Sequence, residues 1–312
     1  MEVLVSDPKN FAPEHNLQPQ LLLLPSPDWE DYALLDSGAG AKLERYGAYT
    51  FVRPEHQAVW KPALPEADWQ NAHAVFQTTS EESGGRWQFN RPIQPNWVMQ
   101  YKGLKFRAHA IHSRHMGVFP EQAAQWDWMA ERIRAAQRPV QVLNLFGYTG
   151  LATLAAAQAG AKVTHVDASK KSISIARQNQ ALSGLEDRPI RWLVDDAYKF
   201  VRREVRRHST YDGIVLDPPK FGRGPGGQVW EFFVALPKLL DECRQLLSHK
   251  PLFVVLTAYA IRASSLSVYY ALQEMVAGLG GKLDTGELVL IERSAGRILS
   301  TAIFARWDAA SP

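Results

Sequence analysis

Asp217-Pro218-Pro219-Lys220-Phe221-Gly222 is the stretch of this 312-residue chain whose residue types point most directly to chemistry. Consecutive prolines remove two backbone donors and fix φ, so Asp217 and the Pro218 carbonyl should stand as rigid acceptors, a rigidity that an ordinary loop does not require. Lys220 beside them suits a phosphate, a substrate carboxylate, or simply water. In Asn144-Leu145-Phe146-Gly147-Tyr148-Thr149-Gly150 the glycines let the backbone turn tightly and approach a ligand ahead of a helix N-terminus. Asp167, followed by Ala168 and Ser169, lies twenty residues past Gly147 and is placed to accept from both ribose hydroxyls of an adenosine. Asp196 in Asp195-Asp196-Ala197 is placed to accept from the adenine amino group. Both acids also suit helix N-caps, and the two roles are compatible.

Each of these segments follows a predicted strand. Residues 140–146, 162–167, 190–194, 211–217 and 252–258 read as strands, alternating with helices over 150–159, 170–183, 197–207, 229–247 and 264–279. Residues 283–292 and 300–307, joined by 293–299, should pair as an antiparallel hairpin. This pattern predicts a mostly parallel, doubly wound α/β sheet with an antiparallel edge. Ligands bind such a sheet beyond the carboxyl ends of its strands, where the candidate segments stand. The glycines do not form G-x-G-x-x-G, which disfavours a dinucleotide and with it a nicotinamide-dependent reductase. A helix over 121–138, with Trp126, Trp128, Met129 and Ile133 on its apolar face, joins this half to what precedes. Up to Arg114 the sequence is broken by proline, glycine and polar clusters around short aromatic and β-branched runs such as 49–52 and 97–101. The expected organisation is a smaller β-rich, α+β domain over residues 1–114 and a catalytic domain over 115–312.

Apolar residues make up 46% of the chain and charged residues 21%, which excludes a disordered or collagen-like polymer. The opening residues lack a basic stretch, the leucine run 21–24 is too short for a signal-peptide core, and the longest apolar stretch, 252–261, falls well short of the roughly 20 residues of a spanning helix. A cytosolic protein with no membrane partner is expected. A net charge of +3 permits an anionic partner without the strong basicity of dedicated nucleic-acid binders. Cys243 is the one cysteine, so an intramolecular disulfide and a thiolate metal cluster are excluded. It sits in a predicted helix among Leu239, Leu240, Leu246 and Leu247, the setting of a buried structural thiol. His109, His112 and His115 are spaced by three with no carboxylate or cysteine beside them, and no metal site is expected. Of the ten tryptophans, Trp29, Trp60, Trp69, Trp87 and Trp97 fall in the first hundred residues and suit core packing better than stacking on unpaired bases.

Taken together, the 144–150 loop, Asp167, Asp195-Asp196-Ala197 and Asp217-Pro218-Pro219-Lys220 resemble the class I S-adenosylmethionine (SAM) dependent methyltransferases, and the terminal hairpin matches their seven-stranded, Rossmann-like sheet. Gly117-Val118-Phe119-Pro120-Glu121-Gln122 and Lys42-Leu43-Glu44-Arg45-Tyr46-Gly47 look like the branch that methylates 23S ribosomal RNA of the large subunit and includes cytosine-C5 enzymes. The resemblance implies SAM as cofactor and RNA, ribosomal RNA in first place, as substrate, with the first domain recognising it. Carried over by position, it implies that Asn144, Phe146, Gly147, Thr149 and Gly150 cradle the methionine part of the cofactor. Asp167, with Ala168 and Ser169, would hold the ribose, Asp196 with Ala197 the adenine, and Phe119 would border the pocket. Asp217, Pro218 and Pro219 would face the methyl group and its acceptor, with Lys220 beside them.

Cytosine-C5 methylation needs a thiolate to add to the ring, because C5 is not nucleophilic by itself. The family places that cysteine just after strand five, where this chain has Leu256-Thr257-Ala258-Tyr259, and Lys220 stands where other cytosine-C5 enzymes carry another. Methylation of a nitrogen fits better, with Asp217 and the Pro218 carbonyl accepting hydrogen bonds from an exocyclic amine. The alternatives are a protein or small-molecule acceptor and a non-catalytic SAM-binding RNA adaptor, which the 217–220 motif disfavours. Two basic clusters remain. Lys199, Arg202, Arg203, Arg206, Arg207 and His208 read as a solvated helix face, while Lys102, Lys105, Arg107, His109, His112, Arg114 and His115 interleave with Tyr101 and Phe106 where an RNA strand could enter.

Overall fold

The computed structural model of the chain describes residues 19–78, 84–110, 114–259 and 261–309. It runs through β1 (Leu21–Pro25), β2 (Tyr32–Gly38), β3 (Ala41–Tyr46), β4 (Tyr49–Pro54), α1 (Glu66–Gln70), β5 (Ala74–Thr78), β6 (Gly85–Phe89), β7 (Asn96–Tyr101) and β8 (Leu104–His109) before the first long helix. Strands β2 to β6 form a five-stranded sheet in chain order, antiparallel except where β4 meets β5. Strands β7 and β8 form a separate hairpin. Its two turn residues, Lys102 and Gly103, have φ of 45° and 86°, the positive values that match a tight turn to strand twist.

A single 3-10 turn, Pro120–Gln122, leads into α2 (Ala123–Ala135). The helix stops short of the predicted 138 because Gln137 takes a left-handed φ of 48°. There follow β9 (Gln141–Leu145), α3 (Leu151–Gln158), β10 (Lys162–Asp167), α4 (Lys170–Leu182), β11 (Ile190–Val194), α5 (Ala197–Arg206) and β12 (Gly213–Leu216). Then come β13 (Phe221–Arg223), β14 (Val229–Glu231), α6 (Phe232–Arg244), β15 (Phe253–Ala258), α7 (Ser265–Met275), β16 (Lys282–Ile291) and β17 (Ile298–Asp308). The large sheet has the order β1-β16-β17-β15-β12-β9-β10-β11. Its strands from β9 to β15 run parallel, and β17 inserts antiparallel between β15 and β16. This is the expected doubly wound, Rossmann-like α/β fold. Alternate residues of each strand serve opposite layers: Val142 and Val255 pack with α2 and α3, Leu143 and Leu256 with α5, α6 and α7.

Two expectations are corrected. The sheet has eight strands rather than seven, because β1, from the segment assigned to the first domain, pairs in parallel with β16. The helix expected over 229–247 begins only at Phe232, because Val229–Glu231 pairs with Phe221–Arg223; a short apolar run fits either period. Aromatic rings bind the two halves of the chain: Trp29 and Tyr101 each meet Trp126 of α2 at 6.0 Å between centroids, so one hydrophobic core continues from the N-terminal strands to the large sheet. Trp29, Trp87 and Trp97 are buried in it. Among the described residues, no helix is long and apolar enough to cross a membrane.

Candidate active site

A cavity opens where β9, β12 and β15 end. Phe119, Asn144, Phe146, Gly147, Thr149 and Asp217 lie on its wall.

The loop after β9 is held at almost every polar atom. Asn144 Nδ2 donates to Thr153 Oγ1 at 2.9 Å, and that hydroxyl meets His165 Nδ1 at 2.8 Å. Burial pushes the His165 ring down to about 3, so it is neutral. A Cβ on Gly147 would lie 2.3 Å from His165 Cε1, which is why only glycine fits there. On either side of it, Phe146 and Tyr148 take left-handed φ of 57° and 50°, a conformation that costs side-chain-bearing residues about 1–3 kcal/mol each and clusters at functional sites. Thr149 Oγ1 donates to Gly117 O at 2.7 Å, and Asn179 Nδ2 donates to Thr149 O at 3.0 Å. Gly150, with φ 88°, stands at the N-cap of α3, so no side chain caps that helix, and Leu151 and Ala152 of its first turn line the cavity.

Across the cavity, Asp217 Oδ2 accepts from Gln122 Nε2 at 3.2 Å, while its Oδ1 is buried with no hydrogen-bond partner among the described residues. Burial, with Glu121 and Asp167 nearby, pushes this carboxyl up to about 8 against the opposing hydrogen bond from Gln122. Pro219 O accepts from Trp230 Nε1 at 2.6 Å, and the Trp230 ring packs on Phe146 at 4.9 Å, so the 217–219 turn is fastened to the loop after β9. Lys220 is exposed, and its carbonyl accepts from Phe232 N at 3.1 Å. Thr257 is on the cavity wall, at the position where a thiolate would be needed for cytosine-C5 chemistry. Cys243 is fully buried in α6, where burial pushes its thiol up, away from thiolate formation.

Glu121 and Gln122, which the sequence marked only as part of the 117–122 resemblance, and Tyr259 complete this side. Tyr259 packs on Phe119 at 4.9 Å; its buried hydroxyl, beside Glu121 and Asp217, has no hydrogen-bond partner among the described residues. Burial raises the Glu121 carboxyl. The 114–122 segment that presents Phe119 and Gln122 is pinned at three points: Arg53 Nη1 donates to Arg114 O at 2.9 Å, Ser26 Oγ to Pro120 O at 2.8 Å, and Thr149 to Gly117. Arg53 is itself set by Glu44, whose carboxylate receives Arg53 Nε at 2.7 Å and Tyr32 OH at 2.9 Å. Burial alone would raise the Glu44 carboxyl, but Arg53 and Lys42 hold it down to about 2. The polar signal at 42–47 therefore serves to position the site's entry segment.

The remaining predicted residues lie off the cavity wall, at the ends of β10, β11 and β12. Asp167 accepts from Tyr148 N and Ser169 N, both at 2.8 Å, and burial raises its carboxyl. The N-cap of α4 is Ser169, which accepts from Ser172 N at 3.1 Å, so Asp167 does not cap that helix. Asp196 does cap α5, accepting from Lys199 N at 2.9 Å; next to it, Asp195 pairs with Arg203 at 2.6 Å. Ala168 and Ala197 flank these acids, and Pro218 is buried behind Asp217. The basic face of α5 is partly neutralised, Arg202 by Glu242 at 3.6 Å and Arg207 by Glu204 at 3.1 Å. His112 of the other basic cluster lies outside the described residues.

A family of S-adenosylmethionine-dependent methyltransferases matches residues 50–250, about two thirds of the chain. The chain belongs to this family. Its cofactor is SAM. A SAM-dependent methyltransferase from Agrobacterium tumefaciens, known from a crystal structure, is 50% identical and superposes with a TM-score of 0.89 over 93% of this chain and 94% of that one. A chain crystallised in complex with SAH superposes with a TM-score of 0.70 at 17% identity, over 89% of this chain and 75% of that one, and shares the fold. Ribosomal RNA large subunit methyltransferase I of Shewanella denitrificans is 33% identical over 125 residues, 40% of this chain. The match spans only 30% of that relative's length.

The wall of this methyltransferase fits its cofactor. The uncapped N-terminus of α3 favours a carboxylate, Gly147 gives backbone where a side chain would intrude, and Asp217 Oδ1 offers a buried polar atom without a partner among the described residues.

Proposed function

We infer that this methyltransferase modifies a nitrogen of an RNA base, with ribosomal RNA as the first candidate, and that Asp217 is the residue at the reacting amine. The observation that carries the reading is the unpartnered Asp217 Oδ1 on a cavity wall where Asn144 and Thr149 are satisfied and Gln125 Nε2 is also left bare. Buried polar atoms are nearly always hydrogen-bonded, and an exception beside a cofactor site is explained by a group that arrives with the substrate. The named likeness to a ribosomal RNA methyltransferase supports the substrate class, and the lack of a cysteine at 256–259 supports nitrogen over cytosine C5.

When bound, SAM supplies a sulfonium methyl that is already activated, so the chain's task is alignment of an acceptor lone pair. The α3 N-terminus and the 144–150 loop hold the methionine end, Asp167 takes the ribose hydroxyls with the lone pairs its two backbone bonds leave open, and Asp196 with Ala197 borders the adenine. Asp217 Oδ1 accepts a hydrogen bond from the amine and turns its lone pair toward the methyl group, with the Pro218 carbonyl as second acceptor. With the sulfonium of the cofactor nearby, the carboxylate form of Asp217 would be favoured, and it can then take the amine proton as the N–C bond forms and the methyl's bond to sulfur breaks, the electron pair staying on sulfur in S-adenosylhomocysteine. Gln122 fixes the other carboxyl oxygen, and the two prolines keep the turn from relaxing. Lys220, exposed beside the turn, is the contact for an adjoining phosphate.

Deleting the gene and comparing nucleoside masses in purified ribosomal RNA tests the reading. Loss of one N-methylated nucleoside is expected. An unchanged profile would transfer the activity to a protein or small-molecule acceptor, and loss of 5-methylcytidine would refute nitrogen as the target.

A further inference from the structure

Strand β8 lies along helix α4, and side chains of the helix fix that packing. Ser183 Oγ bonds both backbone groups of Lys105, accepting from its N and donating to its O at 2.9 Å, and Asn179 Oδ1 accepts from Arg107 N at 2.9 Å. Further along, Lys171 is close enough to His109 to help lower that ring's proton affinity, after burial. The strand therefore tracks the helix from Ser183 back to Lys171, twelve residues or about 18 Å of helix. The charges on the strand and the helix have one sign. Residues 96–109 and 168–184 contain no aspartate or glutamate, while Lys105, Lys170, Lys171 and Arg177 are exposed and Arg107 is half-exposed. None of these five forms an ion pair among the described residues, in contrast to the basic face of α5. Acids border the strand and the helix at their ends: Asp167 precedes the helix and is held by Tyr148 N and Ser169 N, both at 2.8 Å, Glu186 and Asp187 follow it, and at the far end of the hairpin Asp31 holds Gln100 N at 2.7 Å and Asp127 pairs with Lys102 at 2.7 Å.

The strip ends at the cavity. His109 lies over Gly117, where an added Cβ would meet its ring at 3.0 Å, and Gly117 leads directly to Val118 and Phe119 on the cavity wall. Asn179, fully buried, joins the two: its Oδ1 holds β8 at Arg107 and its Nδ2 holds the cofactor loop at Thr149 O.

We propose that β8 and the first turn of α4, carrying Lys105, Arg107, Lys170 and Lys171 around His109, form the track along which the phosphate backbone of a single-stranded RNA substrate reaches the cavity. Unpaired cations with no interspersed acid attract a polyanion, and release of its counterions makes the affinity fall with salt. Bases splayed from a single strand leave the phosphates free to follow such a row. The proposal rests on RNA being the acceptor.

The test uses the full chain with SAM present and a fluorescein-labelled, single-stranded RNA of about 20 nucleotides, read by anisotropy across a salt series. Replacing Lys105, Lys170 and Lys171 by alanine together should weaken RNA binding at least about tenfold. It should also flatten the logarithmic salt slope by about 2, because each phosphate that a cation neutralises on a single strand adds ~0.7 to that slope. SAM affinity by calorimetry should be unchanged, which shows that the variant is folded. The triple arginine replacement at the same positions should retain binding, and alanine at Lys199, Arg202 and Arg206 of α5 should change it less than about twofold. If wild type and the Lys105, Lys170, Lys171 variant bind RNA equally, the track is wrong while RNA as acceptor stands. If the wild type binds no RNA and methylates a protein or small molecule instead, both readings fall.

Discussion

Around β9 the cavity wall is closed upon itself: Asn144 is bonded to Thr153, Thr149 to Gly117, and Gly147 is pressed against His165. Across the same cavity, the turn after β12 leaves Asp217 with one oxygen bonded to Gln122 and the other bare. Both regions are rigid, the first through left-handed backbone and buried hydrogen bonds, the second through two prolines and the Trp230 anchor on Pro219. The difference is in what they leave unsatisfied: on the β9 side His165 Nε2, which is not on the cavity wall, and on the β12 side an oxygen of a wall residue. A wall that only shapes a binding site can satisfy its own polar atoms, whereas a group that meets the reacting amine must wait for its partner. The left-handed residues and the raised Asp217 carboxyl are two forms of the same cost, a fold holding a site against its own local preference.

If that division is right, substitutions on the two sides separate transfer from binding. Asp217→Ala should lower kcat by about 10²–10⁴, the range of a lost proton acceptor, while the Kd for SAM by calorimetry moves less than about threefold. A parallel loss of both would place Asp217 with the cofactor cradle. Asp217→Asn should also change stability in a pH-dependent way. The folded carboxyl keeps its proton to about 8, whereas the unfolded one releases it near 3.8, so wild-type stability falls as pH rises between these values. Thermal unfolding should therefore show no gain for the variant near pH 3.5 and its full gain, a few degrees, above pH 8. A gain that is largest at low pH would contradict the burial of a protonated carboxyl.

On the other side, Gly147→Ala should weaken SAM binding about tenfold and lower the thermal midpoint by several degrees, because overpacking against the buried His165 ring costs about 1–3 kcal/mol. Wild-type affinity in that variant would mean the loop moves freely and cradles nothing. The smallest effect is expected for Thr149→Val, which removes one buried hydrogen bond worth about 1 kcal/mol and should reduce SAM affinity about fivefold with kcat for bound substrate retained.

The sheet and the ends of its strands were legible because parallel strands buried on both faces read as apolar runs, and the turns after them carry glycine, proline and aspartate for backbone reasons. Those local rules reached Asn144, Gly147 and Asp217. They could not reach Gln122 or Tyr259, which lie far from Asp217 in sequence: the 120–122 turn meets it only when that segment packs on the sheet, and Tyr259 comes beside it because β15 pairs with β12. Polar Gln122 and Gln125, both buried beside Trp126 and Met129, were the available signal: amides on a buried surface need partners. Strand β1 escaped for the opposite reason, since Leu21 and Leu23 sit exposed on an edge strand and its pairing with β16 spans most of the chain. The Val229–Glu231 strand was too short to be told from the start of a helix.

The most direct test of the central claim is single-turnover methyl transfer from SAM to ribosomal RNA of the gene-deleted strain, followed from about pH 6 to 10 for wild type and Asp217→Asn. The account predicts a wild-type rate that rises with pH through a midpoint at or below about 8 to a plateau, and a variant at least about a hundredfold slower whose rate lacks that limb. A variant with the wild-type rate and the same pH dependence would contradict it.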